Sequence, residues 1–322
     1  MSKISAPKRC LVIGYGSIGS RHSRLLQELG HDVYVLSRNK ECPFPRKESL
    51  GEYSTESFDL AIIANPTASH STTLQELKQA DIAERILIEK PLFTTHTEGA
   101  KALSDISSTD NMYVAYNLRF HPLITRMQEL LAGKRLFSVQ AYVGQYLPDW
   151  RPGRDYRTIY SAHRSQGGGV LRDLSHEPDL MQVLCGPCES LTAIGGTFSN
   201  LEIDSDDVYS ILMRSSNCPA ITVQMNYLDL DVKREIILNA DGLSMKADFI
   251  ACTLKIGNSE SVTIEEHPID RDFTYREQLI DVLENCSRVC PLNEGMACMQ
   301  VIESAEEAAA KSAWLSIDSQ AR

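Results

Sequence analysis

Cys10-Leu11-Val12-Ile13-Gly14-Tyr15-Gly16-Ser17-Ile18-Gly19 sets four apolar residues directly before a glycine fingerprint. The segment beyond it carries Ile18, Leu25, Leu26 and Leu29 on one helical face and stops at Gly30. Strand, tight turn and helix follow in the order that a dinucleotide site requires. The first glycine makes the turn, the second lets backbone approach a pyrophosphate, and the third lets helix pack on strand. The helix N-terminus then stabilises the phosphate charge. Gly14, Gly16, Ser17, Ile18 and Gly19 are therefore the expected pyrophosphate residues, and the fold they begin is an α/β Rossmann domain with a doubly wound parallel sheet.

The next strand, Asp32-Val33-Tyr34-Val35-Leu36, is expected to end beside the adenosine ribose. NAD-preferring sites place an acid there to accept from the ribose 2′-hydroxyl. This chain has Ser37-Arg38-Asn39 instead. No carboxylate stands there to repel a 2′-phosphate, and Arg38 can pair with one. The reading favours NADP(H), with NAD(H) as the alternative.

Arg85-Ile86-Leu87-Ile88 reads as a short buried strand that ends at Glu89-Lys90-Pro91. Open parallel sheets bind ligands outside the carboxyl ends of their strands, so Lys90 is aimed into the cofactor crevice. The proline after it stiffens the corner and removes a backbone donor.

Composition bounds the rest. A chain of 322 residues with 43% hydrophobic content buries a substantial core and divides into two domains. A net charge of −11 argues against a nucleic-acid partner, which needs a basic face. No apolar stretch approaches the roughly 18 residues that cross a bilayer. Met1 to Arg9 lack the apolar core of a signal peptide, so a cytoplasmic location is expected. Nine cysteines form no regular framework, and Cys185-Gly186-Pro187-Cys188 lacks the second ligand pair of a zinc site. No metal is expected.

Residues 1–120 alternate strand-like and helix-like runs, with 39–57 polar and irregular where the third strand belongs. Beyond His121-Pro122 and one amphipathic helix the grammar changes. Seven strand-like runs between Leu136 and Ile256 are punctuated by turn signals such as Asp241-Gly242, which predicts a large, mainly antiparallel open sheet. Two helices close the chain, over 275–286 and about 295–313. The expected division is 1–120 for the cofactor and 121–322 for substrate binding and oligomerisation.

Gly167-Gly168-Gly169 precedes a second constellation, read as one helix running to Gly186. Asp173, His176 and Asp179 recur every three residues, so neighbours meet on one helical side. A histidine flanked by carboxylates is a natural general acid/base.

Taken in order, Gly14–Gly19, Asn65-Pro66-Thr67-Ala68-Ser69-His70, Glu89-Lys90-Pro91, Asn117-Leu118-Arg119-Phe120-His121-Pro122 and the triple glycine with its helix resemble the Gfo/Idh/MocA oxidoreductases. The resemblance covers essentially the whole chain. It implies catalysis by Lys90 and His176 with Asp173, acting on a sugar or cyclitol hydroxyl while hydride passes to or from the nicotinamide. It also implies cofactor contacts from Asn65, Pro66, His70 and Glu89, and substrate contacts from Asn117, Arg119 and Asp179. A cis Lys90–Pro91 bond, a last helix packed back on the first domain and a homo-oligomer, dimer or tetramer, built on the open sheet are further implications. Many members space the aspartate and histidine four apart, whereas here Glu177 takes that place and His176 stands three beyond Asp173. The stretch Asp173–Asp179 resembles a subgroup of surface-polysaccharide sugar dehydrogenases.

Between Trp150 and Arg172 lie Arg151, Arg154, Arg157, Arg164 and Arg172 with one acid, Asp155. Tyr156 and Tyr160 interleave with them. Arginine forks suit carboxylate or phosphate, so Arg154, Tyr156 and Arg157 are expected to hold an anionic sugar, sugar phosphate or sugar nucleotide. The competing reading ties these arginines to acids of the chain itself. Two other functions stay open: an NAD-assisted lyase or glycosidase of the same fold, and a non-enzymatic sugar- or dinucleotide-sensing regulator.

Overall fold

The computed structural model describes residues 6–106 and 108–317. The first five residues, part of the leader reading, lie outside it. The chain forms two compact units: one of residues up to Phe120 together with Asp272–Met296, the other of His121–Arg271 and the residues from Ala297 onward.

The first unit opens with β1 (Arg9–Ile13), α1 (Ser17–Glu28) and β2 (Asp32–Leu36). The two-residue β3 (Arg46–Lys47), β4 (Phe58–Ile63), α2 (His70–Ala80), β5 (Ala83–Ile88), α3 (His96–Ser104) and β6 (Met112–Val114) follow. These strands pair in parallel in the spatial order β6-β5-β4-β1-β2-β3. Cys10, Leu11 and Val12 are fully buried, as expected of a central strand covered on both faces. The strand order reverses at β1, which puts the ends of β1, β2, β4 and β5 at the topological switch point. Backbone pairing runs on into the loops there: Gly14 N–H donates to Leu36 O and Glu89 N–H to Ile63 O, both at 2.9 Å.

The second unit begins with α4 (Pro122–Leu131) and the long β7 (Leu136–Gly144). After a run of short turns come α5 (Val170–Asp173), α6 (His176–Cys185), β8 (Cys188–Gly196), β9 (Val208–Ser215) and β10 (Ile221–Asn226). Then follow β11 (Lys233–Ala240), β12 (Leu243–Asp248), β13 (Thr253–Gly257) and β14 (Val262–Glu266). All pairs are antiparallel except β7 with β10. Side chains alternate along each strand: Tyr209, Ile211 and Met213 of β9 are buried, while Leu212 and Arg214 are exposed. One face packs under α5 and α6 and the other carries exposed Ile194, Leu212 and Ile237.

The chain closes with α7 (Phe273–Leu283), β15 (Cys290–Pro291), α8 (Leu292–Lys311) and β16 (Leu315–Ser316). Here the division differs from the expected 1–120 and 121–322. Leu279, Val282, Leu283 and Val289 join Leu25, Leu26 and Leu87 in the first core, and β15 adds an antiparallel edge strand to β6. Helical periodicity shows that α7 has an apolar face but not which core receives it. The last helix is split as well: Leu292–Met296 are grouped with the first unit and Ala297–Lys311 with the second.

A second difference lies at the triple glycine, where two helices replace the single one expected. Pro178 is the reason. Its ring would collide with the carbonyl of Leu174, and it has no N–H for that carbonyl, so no helix runs through both. The chain breaks at Leu174-Ser175 and restarts at His176.

Candidate active site

The glycines of the first unit fit a dinucleotide on geometric grounds. Gly14 has φ +100°, and a Cβ there would lie 2.6 Å from Ala64 O. A Cβ on Gly19 would lie 2.1 Å from Gly14 O, so only glycine lets α1 cross the turn. Gly16 faces open space, and no side chain caps the α1 N-terminus nor does an acid occupy its first turn. The amides of Ser17, Ile18 and Gly19 are thus left for an anion. Asn65 Nδ2 donates to Thr73 Oγ1 at 2.8 Å, while its buried Oδ1 has no hydrogen-bond partner among the described residues. An orphaned acceptor at the end of β4 is what a bound partner would satisfy. Pro66 is exposed beside it.

At the end of β2, Ser37 O accepts from Arg46 Nη1 at 2.7 Å and Ser37 Oγ from Asn39 N–H at 3.0 Å. Arg38 is exposed and makes no ion pair among the described residues. Lys90 is half-buried after β5, and the Lys90–Pro91 bond is cis.

Two residues expected to touch the cofactor have partners in the loops around it. His70 is buried, with Nδ1 3.0 Å from Leu92 O and Nε2 3.0 Å from Asn65 O. Burial pushes its pKa down, and a neutral ring donates to one of these carbonyls at a time. It links the loop after β4 to the loop after Lys90. Glu89 is buried as well, its Oε1 accepting from His22 Nε2 at 2.7 Å and its Oε2 from Lys90 N–H at 3.2 Å.

Asn117 and Arg119, expected on the substrate, also have partners inside the first unit. Asn117 Nδ2 donates to Thr274 Oγ1 at 2.7 Å, and Arg119 Nη1 lies 2.6 Å from Glu294 Oε2. Both tie the short turn after β6 to the returning segment.

In the second unit the triple glycine is explained residue by residue. Gly167 is left-handed (φ +80°), and a Cβ on Gly168 would lie 2.2 Å from Tyr160 O. Gly169 combines φ +124° with Asp206 Oδ1 at 2.3 Å from its would-be Cβ. Asp206 then seats α5, taking the Val170 and Leu171 amides on its carbonyl and carboxylate at 2.9 Å each. Burial holds the Asp206 pKa above the usual carboxylate range, against the Leu171 hydrogen bond.

Asp173 is buried and accepts from Tyr227 Oη at 2.7 Å; the hydroxyl of Tyr160 lies against it too. Burial, reinforced by the Asp173 charge, raises the pKa of both phenols, so both stay protonated as donors. Trp150 meets Tyr227 edge to face at 5.1 Å. Glu177, which stands where many relatives place histidine, is buried and paired with Arg234 at 2.7 Å. His176, beside it, is buried as well. Asp179 is buried on the next turn of α6.

The arginine segment separates into two sets. Arg157 pairs with Asp155 and Glu202, both at 2.8 Å, and Arg172 pairs with Glu306. Arg151, Arg154 and Arg164 are exposed and make no ion pair among the described residues. Tyr156 Oη accepts from Glu202 N–H at 3.2 Å, so it steadies the Arg157 pair. Among the described residues no group of three or more His, Cys, Asp or Glu side chains is arranged to hold a metal.

Sequence reasoning passed over His22 and Tyr227. The signal for His22 was legible: it falls on the apolar face of α1 between Ile18 and Leu25, where a polar residue needs a buried partner. Nothing near Tyr227 in sequence points to Asp173, which lies 54 residues away. Tyr227→Phe is expected to lower unfolding free energy by about 1–3 kcal/mol, because a buried carboxylate oxygen loses its donor. Urea denaturation at neutral pH measures it.

The fold and its glycine turn define a Rossmann protein of the dinucleotide-binding class. Residues 8–117 match the model of an oxidoreductase family with an NAD-binding Rossmann fold, and residues 124–234 match the GFO/IDH/MocA C-terminal domain. The chain belongs to the Gfo/Idh/MocA family and is an NAD-binding dehydrogenase. A search of curated proteins finds no sequence match. Among solved structures it is similar to levoglucosan dehydrogenase in complex with NADH (TM-score 0.84, 17% identity, 97% of this chain and 99% of that one). A myo-inositol dehydrogenase from Corynebacterium glutamicum gives TM-score 0.79 at 17% identity, with 97% and 99% covered. The WlbA dehydrogenase from Bordetella pertussis, in complex with NADH and UDP-GlcNAcA, gives TM-score 0.75 at 19% identity with the same coverage. Identities this low speak for the fold.

Proposed function

We propose that this protein transfers hydride between a nicotinamide cofactor and a hydroxyl or keto carbon of an anionic sugar derivative. The family supplies the nicotinamide chemistry. Lys90 and His176 are assigned proton transfer at the reacting oxygen, with the buried Asp173 behind the His176 turn, because a half-buried lysine and an imidazole are the groups suited to it. The observation that carries the anionic substrate is the exposed set Arg151, Arg154 and Arg164, whose guanidinium groups make no ion pair among the described residues, in a segment leading into α5 and α6. Arg157, first read as a substrate ligand, is left out because Asp155 and Glu202 already hold it. The UDP-GlcNAcA in a structural neighbour is of the same chemical class.

Turnover across neutral sugars and cyclitols, hexuronic acids, sugar phosphates and UDP-sugar acids tests the reading. An anionic member should give the highest kcat/KM, with net reduction of free NAD(P)+; exclusive use of a neutral sugar would remove the anionic assignment. Cofactor retained through turnover without net reduction would instead favour a lyase.

The cofactor preference rests on Arg38 and on the absence of an acid at the end of β2. NADP(H) should bind more tightly than NAD(H), and Arg38→Asp should reverse the order by repelling a 2′-phosphate. Calorimetry reads both, and wild-type NAD(H) binding at least about tenfold tighter, about 1.4 kcal/mol, would refute the preference.

The exposed apolar positions on the open face of the second sheet support a homo-oligomer built on that face. Light scattering at micromolar concentration should give a dimer or tetramer, and a monomer would end the proposal. Among the described residues no helix is long and apolar enough to cross a membrane. A cytoplasmic location is part of the same reading.

A further inference from the structure

A histidine and a glutamate are buried together behind the Lys90 corner. His22 has no exposed surface and Glu89 is 7% exposed. The imidazole donates from Nε2 to Glu89 Oε1 at 2.7 Å, and Glu89 Oε2 takes the Lys90 N–H at 3.2 Å. Withdrawing two ionisable groups from water is expensive, and an apolar pair of similar volume is often as stable or more so. His22 Nδ1 adds a further penalty, since it has no hydrogen-bond partner among the described residues. An arrangement this unfavourable, one residue before a half-buried lysine at a strand end, calls for a task other than stability.

We propose that His22 is a positioning residue: through Glu89 it fixes the backbone from which Lys90 reaches the reacting oxygen. The inference rests on the acid/base role assigned to Lys90. Restraint passes from α1 to the Glu89 carboxylate and on to the Lys90 amide. The backbone of Glu89 is held separately, by its own N–H on Ile63 O at 2.9 Å. Beyond the corner, His70 Nδ1 lies 3.0 Å from Leu92 O. The helix that carries His22 is also the one whose N-terminus follows Gly16 of the pyrophosphate turn. One rigid element thus serves as reference for both cofactor and lysine, and a hydride and a proton that move together need that registration.

Three variants test it: His22→Phe fills the space without a donor, His22→Gln keeps a donor, and Glu89→Gln keeps the shape without the charge. Turnover is read with NAD+ or NADP+ on whichever of levoglucosan, myo-inositol and UDP-GlcNAcA the wild type uses best, and NADH affinity by fluorescence. His22→Phe should lower kcat by roughly 30–100-fold, the scale of a misplaced catalytic group, while KM and NADH affinity stay within about threefold. His22→Gln should recover most of the loss, and Glu89→Gln should fall between the two. Full kcat in a His22→Phe protein that binds NADH overturns the inference, as does a His22→Gln protein no better than His22→Phe. If His22→Phe does not fold, unchanged kcat in Glu89→Gln overturns it.

Lys90→Met separates the two levels. An active Lys90→Met removes the reading beneath, whereas an inactive Lys90→Met beside a fully active His22→Phe removes only the positioning role. If none of the three sugars is turned over, amide hydrogen exchange across 89–93 decides alone. It should quicken at least about tenfold in His22→Phe, and unchanged exchange overturns the inference.

Discussion

Replacing Lys90 by methionine should lower kcat by roughly 10³–10⁴-fold while NADH affinity and unfolding midpoint stay close to wild type. The lysine is half-buried after β5, so methionine fills the space of its apolar stem and deletes only the ammonium. Neither the β5 pairing nor the Glu89 hydrogen bond to the residue 90 amide involves that ammonium, so the corner should keep its course. A group that delivers or withdraws a proton at the reacting oxygen acts only in the transition state, so its loss should appear in kcat rather than KM. Single-turnover hydride transfer, followed by nicotinamide absorbance, measures it. Near-normal transfer with the best substrate would end the assignment. His176→Asn should also impair transfer, and the loss should be largest where proton movement limits the rate.

Gly19→Ala should abolish measurable dinucleotide binding and destabilise the first unit by about 1–3 kcal/mol. The added methyl would stand 2.1 Å from the Gly14 carbonyl oxygen, a backbone atom with no rotamer to move to. Relief requires α1 to slide away from the turn, which withdraws the Ser17, Ile18 and Gly19 amides from the phosphate position and shifts His22 with them. Gly16→Ala is the contrast: a Cβ there meets nothing within 4 Å, so stability should hold and only ligand approach should suffer. Calorimetry with NADH and thermal unfolding of both variants check the pair. Equal effects at the two positions would show that the contact to Gly14 does not decide the difference.

The sequence by itself determined the Rossmann half nearly to the residue. A central strand such as β1 is apolar throughout because both faces are covered, and the glycine turn after it has one conformational solution, so both signals are local. The weak third strand was legible for the same reason: 39–57 lacks the apolar run that a covered strand needs, and only Arg46–Lys47 pair with β2. Strand alternation likewise announced the open antiparallel sheet. The short strands β14, β15 and β16 gave no such signal, because edge pairing is set by a neighbour rather than by periodicity.

What only the tertiary structure decided are the pairings between residues far apart in sequence. Helical period marked an apolar face on α7, but not that Leu279 and Val282 would fill the core beneath Leu25 and Leu26. The same holds for charges. Arg154 and Arg157 read alike in sequence, yet Glu202 lies within reach of Arg157, whereas Arg154 makes no ion pair among the described residues. His70, Glu89, Asn117 and Arg119 were legible as motif residues; the protein partners they hold come from other elements of the fold. A motif records which side chains are needed at a place in the chain. Whether each one faces a ligand or braces the backbone behind it depends on which acceptor lies within about 3 Å, and folding alone sets that distance.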